Sequence, residues 1–184
     1  MVRSDMQNAV QVLGRLRKAS GAALNDGEID LEGANLQRFD LTDLDLQHTS
    51  LFKAQLQGTT LTNTNLCGAQ LIGSQFVGAS LANAKVNAET SLGKANFMGA
   101  TIQLTDLSSC NIELEQLRNA FGDASVTLPE DIMPSDPRWP SRWSTENLNL
   151  YDFILQSRDV QATKAKAPTN PPKTPSSPPP HIQA

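Results

Sequence analysis

Few side chains in this sequence are of types that do covalent or metal chemistry. It contains two histidines, His48 and His181, and two cysteines, Cys67 and Cys110. A histidine-based metal site or an activated nucleophile needs a second reactive group nearby, and His181 lies in a proline-rich tail. No glycine-rich phosphate loop of a standard type is present. We therefore expect no catalytic residue, no metal and no cofactor, and a protein that is not an enzyme.

Acidic residues cluster early in the chain, at Asp40, Asp43 and Asp45, with Asp30 and Glu32 close before them. Carboxylates in such a cluster could bind a cation or a basic partner. The regular spacing and the glycine turn of a calcium loop are absent, however. We favour a solvated acidic face beside the basic N-terminal segment and keep Asp40, Asp43 and Asp45 as an alternative partner surface.

The elements that position these side chains follow from a period of five. An apolar residue recurs at every fifth position from Leu31 to Val86, slips by one residue, and resumes from Leu92 to Ile112. The residue two positions before each of these is mostly Ala, Ser or Thr. The bulky exceptions are Ile29, Phe39 and Leu44.

Neither an α-helix nor a flat strand gives a step of five a single apolar face. On a helix the leucine would rotate by about 140° at each step, and on a strand an odd step changes the face. The chain must therefore turn once in five residues. Four turns close a square coil of about twenty residues, and successive coils stack by hydrogen bonding.

The repeated unit resembles the pentapeptide-repeat family, whose units read Ala-(Asp/Asn)-Leu followed by two variable residues. Matching units begin at Ala34, Thr64, Ala69, Ala79 and Ala95. The resemblance implies an all-β solenoid, a right-handed quadrilateral β-helix of about four coils, capped by an N-terminal and a C-terminal α-helix. The family is functionally diverse, so the resemblance says less about activity.

The sequence divides into five segments. These are an N-terminal helical cap and loop (1–28), the repeat β-helix (29–112), a C-terminal cap (113–134), an aromatic loop with a short helix (135–161) and a disordered proline-rich tail (162–184). Residues at helical spacing predict helices over about 5–18, 113–121 and 146–158, with Ser4 and Thr145 as N-terminal caps. The slip in the period predicts a bulged corner at 87–91.

Outward positions that stack in neighbouring coils carry apolar residues in one region. Phe52 falls over Ile72 on one face, and Val77 falls under Met98 on the adjacent face once the slip is allowed for. Such a patch is typical of a partner-binding surface. The alternative, which the apolar character of segment 139–155 favours, is that this segment covers the patch. Its Trp139 and Trp143 are then further candidates for partner binding.

The register also places both cysteines and the glycines. Cys110 faces the interior and Cys67 faces outward, where we expect an ordinary surface thiol. The glycines that recur in the repeat fall at its corners, so we interpret them as turn residues and not as ligand-binding residues.

Composition and charge restrict the function further. The net charge is −4, and residues 29–117 carry nine acids against four bases. We expect a cytoplasmic protein without a transmembrane segment, with no direct nucleic-acid binding, and monomeric. The favoured function is a protein-interaction or scaffold module of unknown partner. The alternative, taken from quinolone-resistance members of the family, is a DNA mimic that modulates DNA gyrase, although the acidity is well below that of duplex DNA.

Overall fold

A computed structural model describes residues 3–20 and 29–165 of the chain. The elements in chain order are α1 (Arg3–Ser20), β1 (Ser80–Ala82), β2 (Thr101–Gln103), α2 (Leu114–Leu117), β3 (Phe121–Gly122), a short 3-10 turn (Pro129–Asp131) and α3 (Leu150–Ala165). The three short strands form one parallel sheet in the order β1-β2-β3. Isolated parallel bridges account for the remaining β pairing between residues 30 and 127.

Parallel pairing joins residues twenty positions apart, as the five-residue period requires. Asp30 pairs with Ser50, and each fifth residue after Asp30 repeats the pairing. The amide of Leu36 donates to the carbonyl of Gln55 at 2.9 Å, and the amide of Gln55 donates to Ala34 at 2.9 Å. The chain is therefore a β-helix with four paired positions in each coil.

The slip in the period is absorbed as predicted. After Lys85 the pairing offset grows by one residue, so that Gln70 pairs with Ser91. The inward residues that follow are Leu92, Phe97, Ile102 and Leu107, and all are at most 4% exposed. The prediction of these inward residues is confirmed.

Pairing continues past the last repeat unit expected from the sequence, at Ile112. Thr101 pairs with Phe121 in β3, and Asp106 pairs with Thr127. The second of these pairs has one more residue between its members than the first. A second single-residue insertion therefore lies between Gly122 and Thr127.

Leucines from four sides fill the interior, and a hydroxyl ladder lines it. Leu36, Leu56 and Leu71 are completely buried. The hydroxyl groups of several buried small residues donate to the leucine carbonyl of the preceding coil at 2.7–3.0 Å; the pairs are Thr59–Leu36, Thr64–Leu41, Ser74–Leu51, Thr90–Leu66 and Thr105–Leu81. These bonds explain why Thr and Ser are tolerated inside an apolar column.

The corners of the coils adopt left-handed backbone conformations. Gly58 and Gly78 occupy such corners with φ of 65° and 67°, as expected of turn glycines. Residues with side chains adopt the same conformation elsewhere, among them Lys53, Asn63 and Leu104. The fold therefore imposes the turn even where the sequence supplies no glycine.

Helix α1 lies against the first coil. Val10 is buried, and Met6 packs against the core. Gly14 comes so close to Leu44 that an added Cβ would lie 2.8 Å from the Cβ of Leu44. The prediction of a helix over about 5–18 is confirmed, but the helix covers Arg3–Ser20, so Ser4 lies inside it and not at its N-cap. Residues 21–28, predicted as a loop, lie outside the described residues.

The helix predicted over 113–121 is a single turn. A capping box between Glu113 and Gln116 starts α2, and Gln116 then donates to the carbonyls of Leu92 and Ala95 at 2.9 Å. Phe121 and Gly122 are strand residues, so the prediction that the helix continues to residue 121 is wrong. Pairing with β2 outweighs the helical spacing there.

Helix α3 starts later than predicted. The side chain of Asn149 accepts a hydrogen bond from the amide of Asp152 at 3.0 Å, so Asn149 and not Thr145 is the cap. Phe153 and Ser157 face inward, whereas Leu155 is 49% exposed, although helical spacing of apolar residues predicts Leu148, Ile154 and Leu155 as the buried side. Residues 162–165, predicted as tail, belong to this helix, and 166–184 lie outside the described residues.

Removing one inward leucine tests the column. We expect Leu71→Ala to lower the free energy of unfolding by about 2–5 kcal/mol, because it opens a cavity in a filled interior. Urea denaturation measures the change. The matched control is Gln70→Ala, whose exposed side chain points outward. Equal losses in the two variants would contradict the inward assignment.

The corner at Leu104 tests the backbone constraint. Leu104 has φ of 53° and is 61% exposed, so it pays the left-handed penalty without filling the core. We expect Leu104→Gly to raise the free energy of unfolding by about 0.5–1 kcal/mol. Leu104→Ala separates the two causes, because it removes the exposed side chain and keeps the backbone penalty. A similar gain in the alanine variant would show that backbone strain is not the source.

Candidate protein-binding surface

One side of the β-helix, formed by residues 51–58, 71–78 and 92–99, is the apolar wall. The amide of Lys53 donates to the carbonyl of Ile72 at 3.0 Å, and this bond stacks the unit of Phe52 on the unit of Ile72. The amide of Gly78 donates to Met98 at 3.0 Å and stacks Val77 on Met98 in the same way. The two columns of apolar side chains predicted from the sequence are therefore present.

The apolar wall is open to solvent. Ile72 is 38% exposed and Met98 41% exposed, while Phe52 and Val77 are half-buried. An amide ladder runs between the two columns, in which Asn96 donates to the side-chain oxygen of Gln75 at 3.0 Å. Apolar side chains separated by side-chain amides suit a protein partner, because a protein surface can offer each amide a hydrogen-bonding group.

Segment 139–155 packs elsewhere, contrary to the covering that we favoured. Within this segment, the amide of Ser144 donates to the carbonyl of Gly122 at 2.9 Å, and the carbonyl of Glu146 accepts from the amide of Ala124 at 3.3 Å. The ring of Phe153 lies 5.1 Å from that of Phe121. The segment thus extends the end of the β-helix.

Both tryptophans of this segment are buried, which removes them as contact residues for a partner. Trp139 is 7% exposed and Trp143 5% exposed, and their rings meet edge to face at 5.6 Å. Trp143 lies directly on Gly122, where an added Cβ would come within 2.6 Å of the indole ring. Gly122 stacks on the inward Ile102, so the indole occupies the place of the missing side chain.

A buried carboxylate attaches this segment, and no pattern in the sequence indicates it. Asp123 is completely buried and accepts hydrogen bonds from the side chains of Gln103 and Ser125 and from the amides of Ser125 and Leu148. The side chain of Gln103 also donates to the carbonyl of Leu148 at 2.8 Å. A buried carboxylate is tolerated because its oxygens are so fully bonded.

The acidic cluster serves local structure. The carboxylate of Asp40 accepts from the amide of Thr42 at 3.0 Å, and hydrogen bonds from Thr42 hold the pKa of Asp40 below its usual value. Asp43 accepts from Asn63 at 3.1 Å, and Asp45 accepts from the amide of Gln47 at 3.2 Å. The bonds of Asp40 and Asp45 are typical of corner turns, whereas that of Asp43 joins two neighbouring coils.

His48 and Cys67 lie in neighbouring coils, where the backbone amide of His48 donates to the carbonyl of Cys67 at 3.0 Å. Burial raises the pKa of Cys110 to about 11 and also raises the pKa of the half-buried Cys67, so neither is an activated thiolate. The exposed His48 ring lies over Gly68, where any side chain would collide with it. Among residues 3–20 and 29–165, no group of three or more potential metal ligands is assembled.

The comparison with family models decides the family. Eight copies of the model for pentapeptide repeats match, over residues 28–62 and 49–87. The chain belongs to the pentapeptide-repeat family. Family membership implies that the β-helix is right-handed. The comparison with curated proteins found no match.

Solved structures that resemble the chain are also pentapeptide-repeat proteins. Protein alr5209 from Nostoc PCC 7120 is 24% identical over 67% of this chain and 87% of its own, with a TM-score of 0.35. HetL from Nostoc sp. strain PCC 7120, involved in heterocyst differentiation regulation, is 21% identical over 67% of this chain, with a TM-score of 0.29. The chain spans 60% of HetL.

A plasmid-mediated fluoroquinolone resistance protein, QnrB1, also resembles this chain. The full-length QnrB1 structure is 15% identical over 71% of this chain and 84% of its own, with a TM-score of 0.34. As for a membrane, the described helices include none that is both long and apolar enough to cross one.

The bonds of Asp123 predict how segment 144–158 is held. Asp123→Ala leaves the amide of Leu148 and the side chain of Gln103 without their carboxylate acceptor, so we expect a loss of about 1–3 kcal/mol. Hydrogen exchange should rise in 144–158 and stay unchanged in 31–80. The matched control is Asp106→Ala, which removes an exposed carboxylate that also accepts a turn amide, from Ser108. Unchanged exchange in 144–158 would show that Asp123 does not hold the segment.

Proposed function

We propose that this pentapeptide-repeat protein is a non-catalytic protein-interaction module that binds its partner through the apolar wall. The observation that carries the proposal is the exposure of Ile72 and Met98 on neighbouring columns of a rigid lattice. Exposed apolar patches on soluble proteins are typical of interaction sites. The half-buried Phe52 and Val77 support the rim of the same patch.

The proposal includes the ends of the column. We propose that α1 is the N-terminal cap, since Gly14 and Val10 lie against the first coil, and that residues 113–148 close the other end through Trp143. Between these caps lie about four coils. Closed ends keep the stacking surfaces from pairing with other copies, so we propose a monomer.

Mimicry of DNA is the weaker candidate. A DNA mimic needs a continuous acidic face, because duplex DNA carries one charge for each ~1.7 Å of its axis. Here Asp40, Asp43 and Asp45 belong to the first coil, and the units stacked on Asp43 carry Asn63 and Asn83. The column of side chains that starts with Asp43 therefore carries no further carboxylate in the next two coils.

The compartment proposed for this module is the cytoplasm. Cys67 and Cys110 are free thiols in the described structure. Free thiols persist in a reducing compartment. Fractionation of the source cells tests this point.

Partner capture tests the apolar wall. We expect the double variant Ile72→Ser/Met98→Ser to lose the specific partners that the wild-type protein captures, with an unchanged melting temperature because neither side chain fills the core. Quantitative affinity capture with mass spectrometry measures the loss. The matched control is Leu104→Ser/Tyr151→Ser, which removes two exposed apolar side chains outside the wall.

Retention of the same partners by both double variants would contradict the apolar wall as the binding surface. A DNA gyrase supercoiling assay on the same proteins covers the alternative. Inhibition by the wild-type protein that survives Ile72→Ser/Met98→Ser would favour mimicry.

A further inference from the structure

The apolar wall carries positive charge in a protein that is negative as a whole. Its three segments contain Lys53 and Lys94 as their only charged residues, whereas the chain has a net charge of −4. Both lysines are exposed and occupy left-handed corners, with φ of 54° and 58°. Arg38 adds a third cation at the opposite edge of the wall, one coil before Gly58.

Close contacts hold two of these cations on the wall. The ammonium of Lys53 lies 4.7 Å from the centroid of the Phe52 ring, and the Cγ of Lys53 lies 3.4 Å from the place of a Cβ on Gly73. The Cγ of Arg38 lies at the same distance from the corresponding place on Gly58. The stems therefore rest on glycine corners and keep the charged groups beside the apolar columns.

The cations of the wall are free to meet an incoming anion. Within the residues that the structure describes, the salt bridges engage Arg118 and Arg138 and none of Lys53, Lys94 or Arg38. Acidic residues appear only beyond the wall, as at Glu32, one coil before Phe52. A complementary partner therefore presents carboxylates next to apolar side chains.

The backbone of the wall restricts the form of that partner. Most amides and carbonyls of 51–58 and 71–78 are engaged in coil-to-coil bonds, such as that from Gly58 to Val77 at 2.9 Å. In the last segment, the carbonyls of Leu92 and Ala95 accept from the side chain of Gln116 in α2. The wall offers no open strand edge, so an extended peptide cannot bind by adding a strand. A helix satisfies its own backbone and contacts the wall through side chains alone.

The spacing of the lysines suits the same form. Gly73 lies between Lys53 and Lys94, one coil from each. The amide of Lys53 donates to the carbonyl of Ile72, and the amide of Gly73 donates to the carbonyl of Gly93. Two coil steps of ~4.8 Å place the lysine backbones about 10 Å apart. Residues seven apart on a helix rise by about the same distance.

We propose that the partner of the apolar wall is an acidic amphipathic helix of another protein. Its apolar side chains pack on the two columns of Phe52–Ile72 and Val77–Met98, and its carboxylates meet Lys53 and Lys94. This proposal rests on the proposed function and names the chemistry of the partner. A bilayer surface fits less well, because it offers no hydrogen-bonding groups of fixed position to the amide ladder of Gln75 and Asn96.

Synthetic peptides test the proposal. The probe is a fluorescent helical peptide of about 18 residues, or five turns, with leucines on one face and glutamates at seven-residue spacing beside them. We expect it to bind the full chain, with an affinity that falls severalfold as salt rises from about 0.05 to about 0.5 M. A matched peptide with lysines in place of the glutamates should bind at least tenfold more weakly.

Charge reversal assigns the contact to the wall. We expect Lys53→Glu and Lys94→Glu each to lower the affinity for the acidic peptide about threefold, and the double variant to lower it about tenfold. The matched control is Lys85→Glu, an exposed lysine on a different side of the β-helix, which should leave the affinity unchanged. Partial rescue of the double variant by the lysine peptide would identify the charge pairing directly.

The outcomes separate this proposal from the proposed function. Equal binding of both peptides, lost in Ile72→Ser/Met98→Ser but kept in the glutamate variants, would overturn the acidic partner and leave the apolar wall standing. If neither peptide binds, the proposal of a helical partner is wrong. The capture experiment then still tests whether the apolar wall is the binding surface. Sedimentation with phosphatidylserine vesicles that depends on Lys53 and Lys94 would replace the helix by a membrane. Self-association that depends on them would replace it by a second copy of the chain.

Discussion

Backbone amides of each coil donate to carbonyls of the neighbouring coil, as Leu36 does to Gln55 and Gln55 does to Ala34. This pairing is possible only if the chain returns to the same direction after twenty residues, so it must turn four times. Each turn requires a corner, and each corner leaves one leucine facing the axis. The inward leucines, the left-handed corners and the outward columns all depend on this one constraint.

The same constraint explains what the sequence could predict. A step of five is incompatible with a helix or a flat strand, so the coil and its inward residues followed from spacing alone. The slip before Leu92 was also predictable, because a lost register must be recovered within one corner. Left-handed backbone at Lys53 and Leu104 was not, since the local sequence gives no glycine there and the neighbouring coils impose the turn.

Non-periodic contacts escaped prediction for a physical reason. The place of Trp143 is decided by the missing side chain of Gly122 and by the hydrogen bonds of Asp123, two features that no spacing reveals. For the candidate site, the sequence placed Ile72 and Met98 on the outside but left open what covers them. Their exposure depends on where residues 139–155 attach, and contacts far apart in sequence, among them those of Gln103 and Asp123 with Leu148, decide that attachment.

Every bridge of the β-helix joins residues only twenty or twenty-one positions apart, whereas Gln103 meets Leu148 across a much longer separation. During translation, a new coil is able to pair as soon as about twenty more residues have left the ribosome, because its template is already complete. Folding can thus keep pace with synthesis along the column. The C-terminal end of the β-helix is the exception, since the last coil stays uncovered until the segment around Trp143 has left the ribosome. For a nascent chain, the last-made contact is the one that converts an extendable template into a finished molecule.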